Sequence, residues 1–176
     1  EFAGLRSSIQ MHNVSFSYVP GKEVLKDISL EFKKGTMTAV VGHTSSGKST
    51  LMHLLVRLYE YDRGTILFDG TDIKKFTFAS LLKHIAFVSQ DPLLFNDSVR
   101  NNLTFGLDRD VSESELEEVT QHVFLYDVIN KLPQRFDTEI GDRGVQLSGG
   151  EKQRLSIARA LLRRSEIILL DEATSF

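Results

Sequence analysis

At 176 residues the chain is the length of one domain, long enough to bury roughly two-thirds of the surface its unfolded form exposes. Hydrophobic residues make up 41% and charged residues 26%, the usage of a soluble globular protein rather than a disordered one, and a net charge of −3 gives no footing for nucleic acid. The absence of cysteine excludes a disulfide framework and a thiolate metal site, the five histidines form no ligand-like cluster, and no apolar run approaches the ~20 residues that span a bilayer. A soluble piece of protein is the expectation.

In chain order, residues 1–8 are expected as linker or an expression remnant, after which Met11, Val14, Phe16 and Tyr18 mix with polar residues in a strand-like way. Pro20-Gly21 turns the chain, Val24 to Phe32 alternates as a second strand, and Met37 to Val41 is a short apolar run of the buried-strand type. From Lys48 the residues Leu51, Leu54, Leu55 and Leu58 recur at helical spacing, so the order is strand, glycine loop, helix. Thr65 to Phe68 and Ile85 to Val88 predict further strands, the latter ending at Gln90 and the Asp91-Pro92 break. Ser112 and Glu115 predict a capping box, followed by Leu116, Val119, Val123 and Tyr126 on one helical face. A second helix is predicted from about Gly150 to Arg164, and Ile167 to Leu170 is a buried parallel strand ending in Asp171-Glu172.

Three motifs carry chemistry. Gly42-His43-Thr44-Ser45-Ser46-Gly47-Lys48-Ser49 fits GxxxxGK[ST], a loop whose backbone N–H groups turn inward on phosphate oxygens while a helix N-terminus adds positive potential. Lys48 would pair with the β and γ phosphates and Ser49 would ligate Mg²⁺. Asp171 and Glu172 close an apolar strand, where Asp171 would hold Mg²⁺ and Glu172 would orient the attacking water; alone, such a pair is more often a helix cap or a solvated turn, and it gains weight only beside the phosphate loop. Leu147-Ser148-Gly149-Gly150-Glu151 is a capping box and also a helix start whose glycines admit an anion, with Lys152, Arg154 and Arg159 making the helix basic.

The phosphate loop, Gln90, LSGGE running into Lys152-Gln153-Arg154, and Ile-Ile-Leu-Leu-Asp-Glu, in that order, resemble the motif series of the ATP-binding cassette ATPases. The resemblance covers about Ile9 to Phe176. It implies an α/β fold: a P-loop (RecA-like) core over 9–90 and 161–176, an antiparallel β region near the N-terminus, and a helical insert over 91–160. It implies adenine stacking by Tyr18, an exposed aromatic in a turn whose other reading is a core tyrosine. It implies nucleotide contacts from Gly42, Ser45, Ser46, Gly47, Lys48, Ser49 and Thr50, and Mg²⁺ and water contact from Gln90. Ser148, Gly149 and Gly150 would reach the γ-phosphate held by an opposite cassette, so the active unit would be a head-to-tail dimer around two ATP molecules. Thr138 to Gly144 looks like the exporter segment ahead of the signature, and Phe95 to Leu103 points the same way; on composition alone both are polar surface loops.

The resemblance further implies an ATPase, with Lys48, Gln90 and Glu172 catalytic and Ser49, Gln90 and Asp171 on the metal. It would sit at the cytoplasmic face of a membrane, coupled to transmembrane segments, without nucleic acid as partner. A non-transport cassette ATPase of DNA repair or translation is the alternative, and a P-loop kinase ranks below it. The sequence ends at Phe176, ahead of the family's switch histidine, so binding is expected to exceed hydrolysis and the central sheet is expected to present an unpaired edge.

Overall fold

The computed structural model describes residues 1–144 and 146–171; Glu172 and Ser175 lie outside the described residues. The chain divides into two compact units, Glu1–Ile85 and the remainder from Ala86.

The first unit is built on an antiparallel sheet of β1 (Ser8–Val19), β2 (Lys22–Lys33), β3 (Arg63–Phe68) and β4 (Thr71–Asp72) in the order β2-β1-β3-β4. The register pairs Met11 with Leu30 on one side and with Ile66 on the other. It slips between Met11 and Val14, where Asn13 takes a left-handed φ of 47°. Gly64 faces that slip: a Cβ there would stand 2.5 Å from the His12 and Asn13 carbonyl oxygens, so only glycine lets the strands close. Helix α1 (Lys48–Leu55) buries Leu51, Leu54 and Leu55, and α2 (Phe78–His84) buries Leu81. Side chains as fully enclosed as Met11, Leu54, Ile66 and Phe68 each contribute roughly 1.5–3 kcal/mol of apolar burial.

The first eight residues are packed against this sheet. Phe2 and Leu5 are buried, the Phe2 ring sits edge-on to Phe68 and Phe76, and Asp69 accepts the amides of Arg6, Ser7 and Ser8. Burial raises the Asp69 carboxyl, but the three amides outweigh it and hold the group below its ordinary range.

Two expectations for this unit are corrected. Met37 to Val41 is not a strand: Met37 is 100% exposed and Val41 89%. An apolar run has no hydrogen bonds of its own to make in the extended state and becomes a strand only where another strand pairs with it, which none does within this unit. The helical spacing that includes Leu58 overruns α1, which ends at Leu55 with Val56 as its C-cap: Arg57 turns left-handed at φ 57°, with Leu58 N–H on the His53 carbonyl and Arg57 N–H on that of Leu54.

The second unit holds β5 (Ile85–Val88, whose first residue belongs to the first unit) hydrogen-bonded to β6 (Ile167–Leu170), with α3 (Val99–Thr104), α4 (Glu113–His122), α5 (Tyr126–Asn130) and α6 (Gly149–Leu162). Its core gathers Val99, Leu103, Leu116, Leu125, Phe136 and Leu155. The single helix face expected through Tyr126 is broken, because Phe124 turns left-handed at φ 56° and Leu125 N–H caps the Thr120 carbonyl. Of the capping box expected at Ser112 only half forms: Ser112 Oγ accepts the Glu115 amide, while the Glu115 carboxylate pairs with Arg109 and Arg164 at 2.6 and 2.9 Å. Neither exporter-like segment is a loose polar loop. Ser98 bridges Glu139, Val99 N–H donates to Thr138, Ile140 N–H donates to Asp97, and Ile140 and Asn102 are fully buried.

Candidate nucleotide site

In the first unit, the glycine loop enters α1 through Gly47, which is the N-cap at φ 91°. A Cβ at Gly47 would lie 2.7 Å from Leu25 Cδ2, so both conformation and space demand glycine. No side chain caps this helix and no acidic residue stands in its first turn. The first N–H groups of any helix lack intrahelical acceptors, so α1 leaves its positive end open to an anion. The Lys48 ammonium folds back on the loop, donating to the carbonyls of Gly42 at 3.0 Å and His43 at 2.9 Å, and Ser46 N–H closes the turn onto His43. Gly42, Ser45 and Ser46 are exposed along the rim, and a Cβ on Gly42 would approach Ser46 Oγ to 2.7 Å.

Tyr18 lies in β1 rather than in a turn, 46% exposed, so it is neither a loop residue nor a core tyrosine. Its hydroxyl meets Thr50 Oγ1 at 3.1 Å and its ring stands edge-on to Phe16 and Tyr59. The structure therefore joins Tyr18 to the helix that carries Lys48 and Ser49. Tyr59 and His53, which complete this aromatic group, were not singled out in the sequence, where they look like ordinary members of a helix and its end.

In the second unit, Asp171 is buried at the end of β6 and its N–H donates to the Val88 carbonyl at 2.9 Å, which brings the ends of β5 and β6 together. Gln90 lies two residues beyond β5 and is exposed. The signature residues open α6: Ser148 is the N-cap, its Oγ accepts from Glu151 N–H, and the Glu151 carboxylate accepts from Ser148 N–H at 2.7 Å. That backbone bond holds the Glu151 carboxyl below its ordinary range against the opposing effect of burial. Ser148 and Gly149 are exposed, and the Ser148 hydroxyl, which only accepts inside the box, keeps its own proton to donate outward.

Arg159 adds to the positive charge of α6 but not to that of its first turn. Its guanidinium turns away from the helix start onto the carbonyls of Asn102 and Leu93, and burial pulls its pKa below the ordinary range. The cause is position: Arg159 lies about three turns along α6 from Ser148, too far to add field at the first turn.

A glycine loop that feeds a helix through a left-handed glycine, with its lysine folded onto the loop carbonyls, defines a phosphate-loop nucleotide-binding protein of the α/β class. Comparison narrows the class. The family model described as "ABC transporter" matches residues 25–175, and the chain belongs to that family. It is 46% identical over 174 residues to the heterocyst differentiation ATP-binding protein HepA of Nostoc sp., covering 99% of this chain and 28% of that protein. It is 47% identical over 169 residues to the ATP-dependent lipid A-core flippase of Salmonella typhimurium, covering 95% and 29% respectively. A solved structure of a bacterial Atm1-family ABC exporter with ATP bound superposes with a TM-score of 0.92 at 42% identity, over 99% of this chain and 30% of that one. The chain thus spans under a third of the length of these relatives.

Proposed function

We propose that the chain binds ATP with magnesium and hydrolyses its β–γ phosphoanhydride, driving export by the membrane-embedded part of a larger protein at whose cytoplasmic face it works. The observation that carries this is the uncapped N-terminus of α1 with Lys48 held over the loop, in a chain of the ABC transporter family. The relatives point to transport outward: one is named an ATP-dependent flippase and another is an ABC exporter with ATP bound.

The residues fit this chemistry. Loop amides and the Lys48 ammonium suit phosphate oxygens, and the Tyr18 ring is exposed enough to stack on a base. Magnesium, when bound, neutralises charge on the β and γ oxygens. The Ser49 hydroxyl, the Gln90 amide oxygen and the Asp171 carboxylate would be the protein oxygens that hold it. Among the described residues no three acidic or imidazole groups cluster, so an ion held here would rely on few protein carboxylates, a donor set that suits magnesium. Glu172 accepts a hydrogen bond from the attacking water, which adds in line to the γ-phosphorus as the bridging bond to ADP breaks. Ser148, Gly149 and Gly150 meet the γ-phosphate of ATP held by a second cassette, giving a head-to-tail pair. Among the described residues no helix is long and apolar enough to cross a membrane, so the membrane spans are assigned to the rest of the parent protein.

The test is equilibrium titration with a fluorescent ATP analogue, with magnesium and with EDTA, beside phosphate release by the parent protein carrying Glu172→Gln. Retained binding with lost hydrolysis is expected. Binding unaffected by Lys48→Ala, or phosphate release unchanged in Glu172→Gln, would contradict the reading.

A further inference from the structure

The segment after Gln90 is gripped from inside its own unit by two polar side chains. Asn102, fully buried on α3, accepts the Phe95 amide on Oδ1 at 2.9 Å and donates from Nδ2 to the carbonyls of Phe95 and Ser98, both at 3.0 Å. Arg159 on α6 donates to the Asn102 carbonyl at 2.7 Å, to the Leu93 carbonyl at 3.0 Å and to Asn102 Oδ1 at 3.3 Å. Its guanidinium also stands 5.8 Å from the Phe95 ring centroid and 6.0 Å from that of Phe105.

All three acceptors are neutral oxygens. A desolvated arginine answered, among the described residues, by no counter-charge is an expensive way to add stability, since an apolar residue of similar size would do as well at lower cost. What the fork supplies is geometry: planar donors fixing the backbone at Leu93 and the amide of Asn102 together. The Leu93 side chain itself is 64% exposed, so the hold is on its carbonyl and not on its packing. On the other side the same segment is pinned to the strand-like run ahead of Ser148, through Asp97 with Ile140 and Ser98 with Glu139.

We propose that Arg159, seated through Asn102, is a positioning residue for Gln90: it fixes the backbone of residues 93–95 to the shaft of α6, so the helix whose first turn carries Ser148 also sets where the Gln90 amide stands. The role rests on the ATP-binding reading above. Arg159 touches no nucleotide and acts only through the segment it holds.

The test uses the whole 176-residue chain as wild type, Arg159→Lys, Gln90→Ala, the double variant, and Ile129→Val as a core-destabilised control. Lysine keeps the charge but cannot fork across three oxygens. Amide exchange at residues 93–98 should quicken about tenfold or more in Arg159→Lys and stay at the wild-type rate in Ile129→Val. In ATP titrations with and without magnesium, the gain in affinity that magnesium confers should fall in Arg159→Lys to the value of Gln90→Ala. The double variant should fall no further, since the two act as one unit. A wild-type magnesium gain in Arg159→Lys, additive losses in the double variant, or the same selective loosening in Ile129→Val overturns the proposal. A wild-type chain that binds no ATP overturns the nucleotide reading and this role with it, and shows itself in the first titration, whereas failure of the grip alone leaves wild-type binding intact and shows in the variants.

Discussion

The two helices with glycine at their N-termini, α1 with Gly47 as N-cap and α6 with Gly149 as its first residue, meet the same physical problem in opposite ways. Both have first-turn amides with no acceptor along the helix. At α1 a left-handed glycine serves as N-cap, no side chain closes the end and no acid neutralises it. At α6 Ser148 and Glu151 satisfy each other's backbone amides in a complete capping box. An end left open costs stability unless something external fills it, while a closed end holds its shape in isolation. The difference fits the roles proposed: α1 takes phosphate from within its own cassette, and α6 presents a preformed edge to the ATP of another.

Four substitutions probe this difference between the two helix starts. The largest effect is expected for Gly47→Ala, where a left-handed alanine and a Cβ against Leu25 together cost about 2–4 kcal/mol; urea unfolding measures it, and a neutral result would mean the loop needs no special backbone. Ser148→Ala opens α6 and should cost about 1 kcal/mol by the same measurement. Gly149→Ala has a helical position with no positive φ to protect and should leave the chain as stable or up to about 1 kcal/mol more so, while weakening ATP-driven pairing. A stability loss there would show that the glycine serves the fold of α6 rather than its partner.

The smallest effect concerns Glu151, whose carboxyl is held below its ordinary range in the folded chain. Its contribution is therefore complete above the pKa of the unfolded carboxyl and disappears as pH falls through the ordinary carboxylate range and below. Glu151→Gln should be less stable than wild type by about 0.5 kcal/mol at neutral pH, and the gap should close on acidification. Thermal melts at a series of pH values check this, and a gap that widened in acid would contradict the capping-box geometry.

Much of the fold was legible in the sequence, because strand alternation and helical spacing are local. β1, β2, β5 and α6 fall where their patterns put them, as do the glycine loop and the caps at Ser112 and Ser148. What escaped has common causes. Arg57 and Phe124 end helical runs in left-handed conformations with no glycine to announce them, so helical spacing overruns the ends of α1 and α4. Phe124 does this at 86% exposure, a position where composition predicts nothing. Met37 to Val41 has a strand's composition, but pairing is decided by distant residues. Arg159 has the composition of a basic helix, yet its long side chain reaches oxygens brought near it only by folding. Of the site residues, the loop and signature were visible as motifs; the tie of Tyr18 to Thr50 depends on the packing of β1 against α1 and was not.

The central claim is that the open end of α1 holds the phosphates of ATP, and the most direct measurement is the thermal midpoint of this chain with saturating Mg-ATP, beside Lys48→Ala. At a hundredfold excess over the dissociation constant, binding stabilises by about 2.7 kcal/mol, which for a domain of this size raises the midpoint by roughly 5–10 °C. That rise is expected in the wild-type chain, and its loss in Lys48→Ala. A folded wild-type chain with no rise, or an equal rise in both, would contradict it.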